Sequence, residues 1–274
     1  GLKEPLYAMD STTIDLCLKL FPWANFRSTK AAVKAHTVID LRGAIPVMLT
    51  ITTGKVHDVK ALDSLRLPPG SIVVLDRGYV DFARLYALVQ RQCSFVVRGK
   101  DNLKFTTIDC HPFDPSTGIR ADQTIQLLTH KSKKAYPGAL RRVEFFDEKT
   151  QLDLVFLSNR LDLPALTIAA IYKQRWQIEL FFKWIKQHLR IKSFVGNSVN
   201  AVKTHIWIAV STYVLVAIIK KRLQIEASLH SMLQVLSLTL FETTPLIDLL
   251  KDIETESNEP ENLQMGLFEE ISGH

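Results

Sequence analysis

Four polar residues, Tyr172, Arg175, Glu179 and Lys186, stand at spacings that a helix would turn into a row. At 100° per residue they fall within an arc of about 60°. Ile171, Ile178, Phe181, Phe182, Ile185 and Leu189 take the adjoining side. A helix over 167–190, straight or bent, can therefore pack an apolar side on a sheet. Beside it runs a stripe of ring, guanidinium, carboxylate and ammonium ~21 Å long. A small substrate would not touch all of that stripe, whereas a nucleic-acid strand would. The plain alternative is a solvated helix face, with Arg175 and Glu179 an ordinary i,i+4 pair. Two other carboxylates stand out. Asp76 follows the apolar run Ile72-Val73-Val74-Leu75, where a charge is costly unless something pairs with it. Asp10 lies where the first strand, Leu6–Thr12, reads as ending, which is also an ordinary turn or cap position. Asp15, Asp40, Asp58 and Asp81 compete with them, and Asp40, beside a turn, reads as structural.

The spacing Tyr-x2-Arg-x3-Glu-x6-Lys resembles the signature of the DDE transposases of insertion-sequence family four. The run Arg175-Trp176-x-Ile178-Glu179-x-Phe181-Phe182-Lys183 is similar to that family as well. So are Ser193-Phe194-x-Gly196 and Ala201-Val202-Lys203 downstream. The likeness covers residues 6–220. It implies that Asp10, Asp76 and Glu179 are the catalytic carboxylates, converging on two Mg²⁺ ions that Mn²⁺ can replace. Mg²⁺ prefers oxygen donors, and two such ions ~3.5–4 Å apart serve attacking and leaving oxygens together. Tyr172, Arg175 and Lys186 would hold DNA, with Lys183 and Arg98 as further contacts; such groups grip phosphate without reading sequence. Lys30, Lys34 and Lys100 are basic candidates that also read as ordinary surface charges. His57-Asp58 resembles a family feature, although not one with an evident metal role. The implied partners are double-stranded DNA, both element ends and target, and a second copy of the chain. The implied chemistry is water attack at the element end, then attack by the freed 3′-OH on another strand, often through a hairpin. Some relatives stack a flipped base on a Trp of the β-rich insertion. Here Trp23, Trp176, Trp184 and Trp207 all lie outside residues 99–160, leaving Phe105, Phe113 or Tyr136. Two other readings remain open: a ribonuclease H-like nuclease that cuts without joining, and an inactive or domesticated DNA-binding remnant.

The elements that must position these groups are legible in outline. Leu6–Thr12, His36–Leu41, Ile45–Thr52, Ser71–Leu75 and Ser94–Arg98 read as strands, with a hairpin turn at Arg42-Gly43. His57–Leu65 and Phe82–Arg91 read as helices. Residues 99–160 alternate turn residues with short β-type runs such as Arg142–Phe146 and Leu152–Leu157. From Pro164 the pattern is helical, with Asn200–Lys221 and Leu229–Leu250, broken near Pro245, as the later helices. The expected fold is α/β, a ribonuclease H-like mixed five-stranded sheet flanked by helices. Residues 1–98 and 161–222 form the core, 99–160 a β-rich insertion before the Glu179 helix, and 223–274 a C-terminal helix and acidic tail with an apolar patch at Leu263–Phe268.

Composition agrees with a DNA partner. The 274 residues carry 34 Lys and Arg against 28 Asp and Glu. Residues 251–274 hold one Lys and seven acids, so 1–250 have a net charge of about +12. Three cysteines without a Cys-x-x-Cys pair exclude a disulfide scaffold and fit a reducing compartment. Gly54-Lys55 lacks the rest of a phosphate-binding loop, and no Gly-x-Ser-x-Gly elbow exists. Ile206–Ile219 is shorter than the ~20 apolar residues that span a bilayer, and no signal peptide is visible. The reading is cytoplasmic, at the bacterial nucleoid, without membrane. The absent initiator Met suggests a fragment or processed product.

Overall fold

The computed structural model describes residues 3–188 and 194–239. The chain divides into two compact units, Gly1–Thr204 and His205–His274. The first is built on a mixed sheet of ten strands: β1 (Leu6–Leu16), β2 (Asn25–Arg27), β3 (Lys30–Asp40), β4 (Ile45–Thr53), β5 (Ile72–Leu75), β6 (Ser94–Arg98), β7 (Phe105–Cys110), β8 (Ile119–Leu127), β9 (Leu140–Asp147) and β10 (Leu152–Ser158). Their order is β2-β3-β1-β5-β6-β10-β9-β8-β7, and β4 also pairs with β3. β1, β3 and β4 form an antiparallel meander with the expected turn at Arg42-Gly43. β5 then lies parallel to β1, and β6 parallel to β5.

Parallel neighbours need crossovers, which a 3₁₀ helix over Asp58–Ser64 and α1 (Phe82–Gln90) help to supply. The expected α-helix at His57–Leu65 is thus a 3₁₀ helix. Its length is limited by Pro68-Pro69, and its Asp58 side chain is bonded to strand residues described below. All four residues of β5 are buried, as a strand covered on both faces must be. On one face Tyr7, Met9, Val73, Leu75, Phe95 and Val97 pack with Leu62, Leu65, Leu85 and Leu88 from the two helices. On the other, α3 (Ala165–Lys173) packs on β5, β6, β8, β9 and β10, and α4 (Trp176–His188) packs on β1. Ile168, Ile171, Ile178, Phe181 and Ile185 are buried there.

The β-rich segment departs from expectation. The sheet has ten strands where five were expected, because this segment extends it. β10 pairs antiparallel with β6, from Phe156↔Arg98 to Ser158↔Val96. The Ser158 hydroxyl donates to the Phe95 carbonyl at 2.6 Å, and Phe95 N–H donates to Asn159 Oδ1 at 2.9 Å. These bonds satisfy backbone groups at a junction the ladder alone would leave open. Further out, the buried Arg141 guanidinium clamps both oxygens of the buried Asp122 and donates its third nitrogen to the Leu161 carbonyl at 2.6 Å. One side chain on β9 therefore fixes β8 and the segment that leads into α3.

In the second unit, α5 (Val199–Leu223), which starts in the first, continues from His205 and is followed by α6 (Leu229–Thr239). Val216, Ile225, Ala227 and Met232 pack together. The 25-residue α5 outruns the 14-residue apolar run. Among the described residues it is the one helix long and apolar enough to cross a membrane, a property that core helices share. The Pro245 break, the acidic tail and Leu263–Phe268 lie outside the described residues.

Removing one partner of a buried ion pair strands the other charge, which costs about 3–5 kcal/mol. Asp122→Ala should therefore destabilise the protein by that amount in urea unfolding, while Asp122→Leu with Arg141→Met should recover most of it. A loss below 1 kcal/mol for the single variant would refute the clamp.

Candidate active site

Asp10 and Asp76 are brought together by the length of one strand. The last pair between β1 and β5 is Met9↔Leu75, so Asp10 and Asp76 are the next residue on each. Met9 and Leu75 face α1. One step on, strand alternation turns Asp10 and Asp76 toward the α3–α4 side. The sequence reading put Asp10 at a strand end. In the structure β1 runs on to Leu16, because β3 keeps pairing with it as far as Leu16↔Ala31, and Asp10 sits mid-strand opposite Thr37. The sheet opens beside it because β5 stops. Asp76 heads a 3₁₀ turn, Arg77–Tyr79, without giving it a side-chain cap bond.

Glu179 and its neighbours arrive differently from the single helix expected over 167–190. The chain forms α3 and α4 with a break at Gln174-Arg175. Gln174 and Arg175 N–H donate to Ile171 and Tyr172 carbonyls, and Gln177 and Ile178 N–H to Gln174 and Arg175 carbonyls. These i→i−3 bonds tighten the backbone as a 3₁₀ turn does. Tyr172 therefore closes α3 while Glu179 lies in the first turn of α4. From the break Arg175 reaches the sheet. Its guanidinium donates to Asp10 Oδ2 at 3.0 Å through one terminal nitrogen and to Glu179 Oε1 through the other. Asp10 Oδ1 accepts Ser11 N–H at 2.8 Å. Arg175 Nε is buried and has no hydrogen-bond partner. The guanidinium also lies 5.7 Å from the Tyr172 ring.

Electrostatics bind these groups into one cluster. Burial pushes the Asp10 carboxyl up to about 6; Arg175 and Ser11 N–H oppose the rise, and the charges of Asp76 and Glu179 add to it. Burial works against the Arg175 charge, yet Tyr172, Glu179, Asp10 and Asp76 outweigh it and hold the proton more firmly than usual. Tyr172 is buried, its ring 4.6 Å from that of Phe156, and burial raises its hydroxyl pKa. It is thus no exposed stacking platform, and Arg175 faces carboxylates where a phosphate partner was expected.

The remaining candidates scatter. Lys183 and Lys186 are half-buried on α4, and Arg98 is half-buried at the end of β6, where its charge acts on Tyr172. Lys30 and Lys100 are exposed. Lys34 turns inward, pairing with Asp58 at 3.1 Å and donating to the Val56 carbonyl at 3.1 Å. In the insertion Tyr136 is buried and Phe105 lies under the Arg142 guanidinium at 4.8 Å. Phe113, 39% exposed, lines a cavity of about 460 Å³ with Phe146, over which Arg120 sits at 4.3 Å.

Sequence reasoning named Asp58 and Lys34 but missed their meeting with Ser11 and His36 on the reverse face of β1. Asp58 accepts the Ser11 hydroxyl at 2.6 Å, pairs with Lys34, and lies 3.8 Å from Nδ1 of the wholly buried His36. Burial lowers the His36 pKa. Tyr79 is buried, and burial together with the Asp10 and Asp58 charges raises its hydroxyl pKa. The His57-Asp58 pair was the available signal, but only the pairing Ser11↔His36 reveals what it meets.

The donor chemistry suits a hard divalent cation: three carboxylates, two of which already share one positive charge. Among the described residues, however, no three His, Cys, Asp or Glu side chains stand close enough to grip one metal. The Arg175 guanidinium bonds Asp10 and Glu179 together.

A carboxyl whose folded pKa is about 6 against an ordinary 3.8 takes up protons on folding. Its contribution is full below pH 4 and is lost as pH rises through 6. Asp10→Asn should therefore unfold at higher urea than the unmodified protein at pH 8, by on the order of 1–3 kcal/mol. At pH 4 the difference should shrink toward zero. A difference independent of pH would refute the assignment.

Comparison with known proteins places the chain. Residues 1–215 match the transposase DDE domain family. A protein of Sinorhizobium fredii named as a transposase, y4zB, is 35% identical over 219 residues, covering 78% of this chain and 60% of its own. One from Geobacillus stearothermophilus, named as a transposase for insertion sequence element IS5377, is 31% identical over 214 residues, covering 77% and 56%. The chain thus spans about 60% of the length of these relatives. Among solved structures, the piggyBac transposase synaptic complex with hairpin DNA aligns with 99% of this chain and 57% of its own, at a TM-score of 0.52 and 10% identity. That likeness concerns fold, a mixed sheet with helices. With a match over residues 1–215, a span that includes Asp10, Asp76 and Glu179, the chain belongs to the transposase DDE domain family.

Proposed function

We propose that the chain is the catalytic part of an insertion-sequence DNA transposase working by cut and paste. It would cleave double-stranded DNA at element ends and join the freed 3′-OH to target DNA. The observation that carries this reading is the placement of acids from distant segments: Asp10 and Asp76 each follow the last pair of two adjacent parallel strands, and Glu179 is tied to Asp10 through Arg175. The family match and the relatives' names support it. In this reading β4, β3, β1, β5 and β6 are the five strands of a ribonuclease H-like core. Residues 1–98 and 161–222 make that core, 99–160 the insertion, and 223–274 a C-terminal helix and tail. The protein would work in the cytoplasm, at the nucleoid, as a homodimer on paired ends.

Asp10, Asp76 and Glu179 would hold two Mg²⁺ ions, with Mn²⁺ as a substitute. Such ions, when bound, polarise the phosphodiester and make a strong nucleophile available at neutral pH. The chain's own groups do the rest. β1 carries Asp10, β5 leads directly into Asp76, and α4 carries Glu179, which Arg175 ties to Asp10. Burial excludes water and strengthens every charge in the cluster. Lys183 and Lys186 on α4 and Arg98 at the end of β6 would offer positive charge to a phosphate backbone. In the first step water adds to phosphorus and the 3′-oxygen leaves. In the second that 3′-OH adds to another phosphodiester and again displaces a 3′-oxygen, so bond count is conserved.

Asp76→Ala and Glu179→Gln should each lower Mg²⁺-dependent nicking of an element-end duplex by at least about 10²-fold, with duplex binding within a few-fold of the unmodified protein. Full nicking by either would overturn the roles. An assay for joining of the 3′ end separates a transposase from a nuclease, which would give nicks and no joined product. Lys186→Ala should weaken duplex binding and flatten its salt dependence by about one unit of log–log slope; an unchanged slope would count against a phosphate contact.

A further inference from the structure

Arg175 is placed as a counter-ion built into the site. It bridges acids 165 and four residues away in sequence, Asp10 and Glu179, using one terminal nitrogen for each. It springs from the α3–α4 break, where its backbone N–H is held at 2.9 Å by the Tyr172 carbonyl. Its side chain is only 17% exposed, yet Nε–H is left without an acceptor. A guanidinium built only to hold the fold would normally have that donor satisfied as well. The second Asp10 oxygen is already taken by Ser11 N–H. A divalent cation arriving at Asp10 and Glu179 therefore meets carboxylates engaged by a positive group, and two cations crowded on one carboxylate pair repel. The two cannot share the gap.

We propose that Arg175 and a divalent cation are alternative occupants of the Asp10–Glu179 gap, so that cation loading releases the guanidinium to bind substrate phosphate. This rests on the reading of Asp10 and Glu179 as cation ligands. Released, Arg175 keeps a planar fork suited to phosphate oxygens and remains anchored beside the carboxylates by its backbone. Cation loading and phosphate binding then become coupled: each removes the guanidinium from the position in which it opposes the other, and such coupling is reciprocal. Without cation, the same arginine neutralises acids that would otherwise repel one another.

The test is a calorimetric titration of the full chain with Mn²⁺ alone, without DNA. Arg175→Gln should bind Mn²⁺ about tenfold more tightly than the unmodified protein. Arg175→Lys, whose single ammonium cannot bridge both acids as the fork does, should fall between them and serves if the glutamine variant does not fold. Affinity for Mn²⁺ unchanged or weaker in the folded variants would overturn the interlock. Glu179→Gln separates this from the underlying reading. Loss of Mn²⁺ binding in that variant supports Glu179 as a ligand, and binding like the unmodified protein overturns the ligand reading itself. A second measurement addresses release: saturating Mn²⁺ should increase affinity for a DNA duplex several-fold more in the unmodified protein than in Arg175→Gln. An equal increase in both would overturn the coupling.

Discussion

A single guanidinium held between two carboxylates, one 165 residues from it in sequence and the other four, is the interaction on which this site depends. Asp10, Asp76 and Glu179 carry like charges, and the charges of Asp76 and Glu179 add to the burial that pushes the Asp10 carboxyl up. Arg175 supplies the compensation from within the chain. The sheet exists, in functional terms, to make this meeting reproducible. β5 is buried on both faces and stops at Leu75, while β1 is held by β3 for its whole length. One carboxylate is thereby carried by a long, fully paired strand and another by the end of a short one. A longer β5 would continue the ladder past Met9 and draw Asp76 into the sheet.

The same economy explains how the insertion serves the site. β10 returns to pair with β6, so residues 99–160 continue the core sheet. The chain then enters α3 through a segment whose Leu161 carbonyl is gripped by Arg141. α3 in turn lays Tyr172 against Phe156 of β10. The position of Arg175 is thus determined at three removes by the clamp on Asp122. A buried ion pair is weak evidence for net stability. Its geometric role is clearer, because a two-oxygen, three-nitrogen arrangement fixes both strands and the exit of the chain together.

The strands β1, β3, β4, β5 and β6 were legible because they depend on local signals. Apolar runs bounded by turn residues mark strands, and a carboxylate directly after such a run is conspicuous. The four-residue row, too, was found from helical spacing. The helix break was not, because nothing at Gln174-Arg175 is a helix breaker: no Gly or Pro interrupts the pattern. The break comes with a tertiary attraction, the pull of Asp10 on Arg175, which no window of sequence contains. The 3₁₀ character of Asp58–Ser64 escaped for the same reason, since Asp58 answers to Ser11 and Lys34 from other strands. The ten-strand sheet was hidden because pairing between β10 and β6 is a long-range register, and residues 99–160 look self-contained when read alone.

The break also changes what the polar row can do. On one continuous helix, Tyr172, Arg175, Glu179 and Lys186 would all face a strand of DNA together. With α3 and α4 separate, the row divides by depth. Tyr172 is buried against Phe156, Arg175 and Glu179 are turned to the sheet, and Lys183 and Lys186 sit farther along α4. Chemistry and grip are thereby assigned to different ends of one segment. In the proposed reading the inner end compensates the charge of the acids, and the outer end would meet the DNA backbone at longer range, where screening by salt is strong. Arg175 stands at the border of the two. Because its backbone is fixed at the break and its side chain is long, it can serve either end by side-chain rotation alone, without refolding either helix.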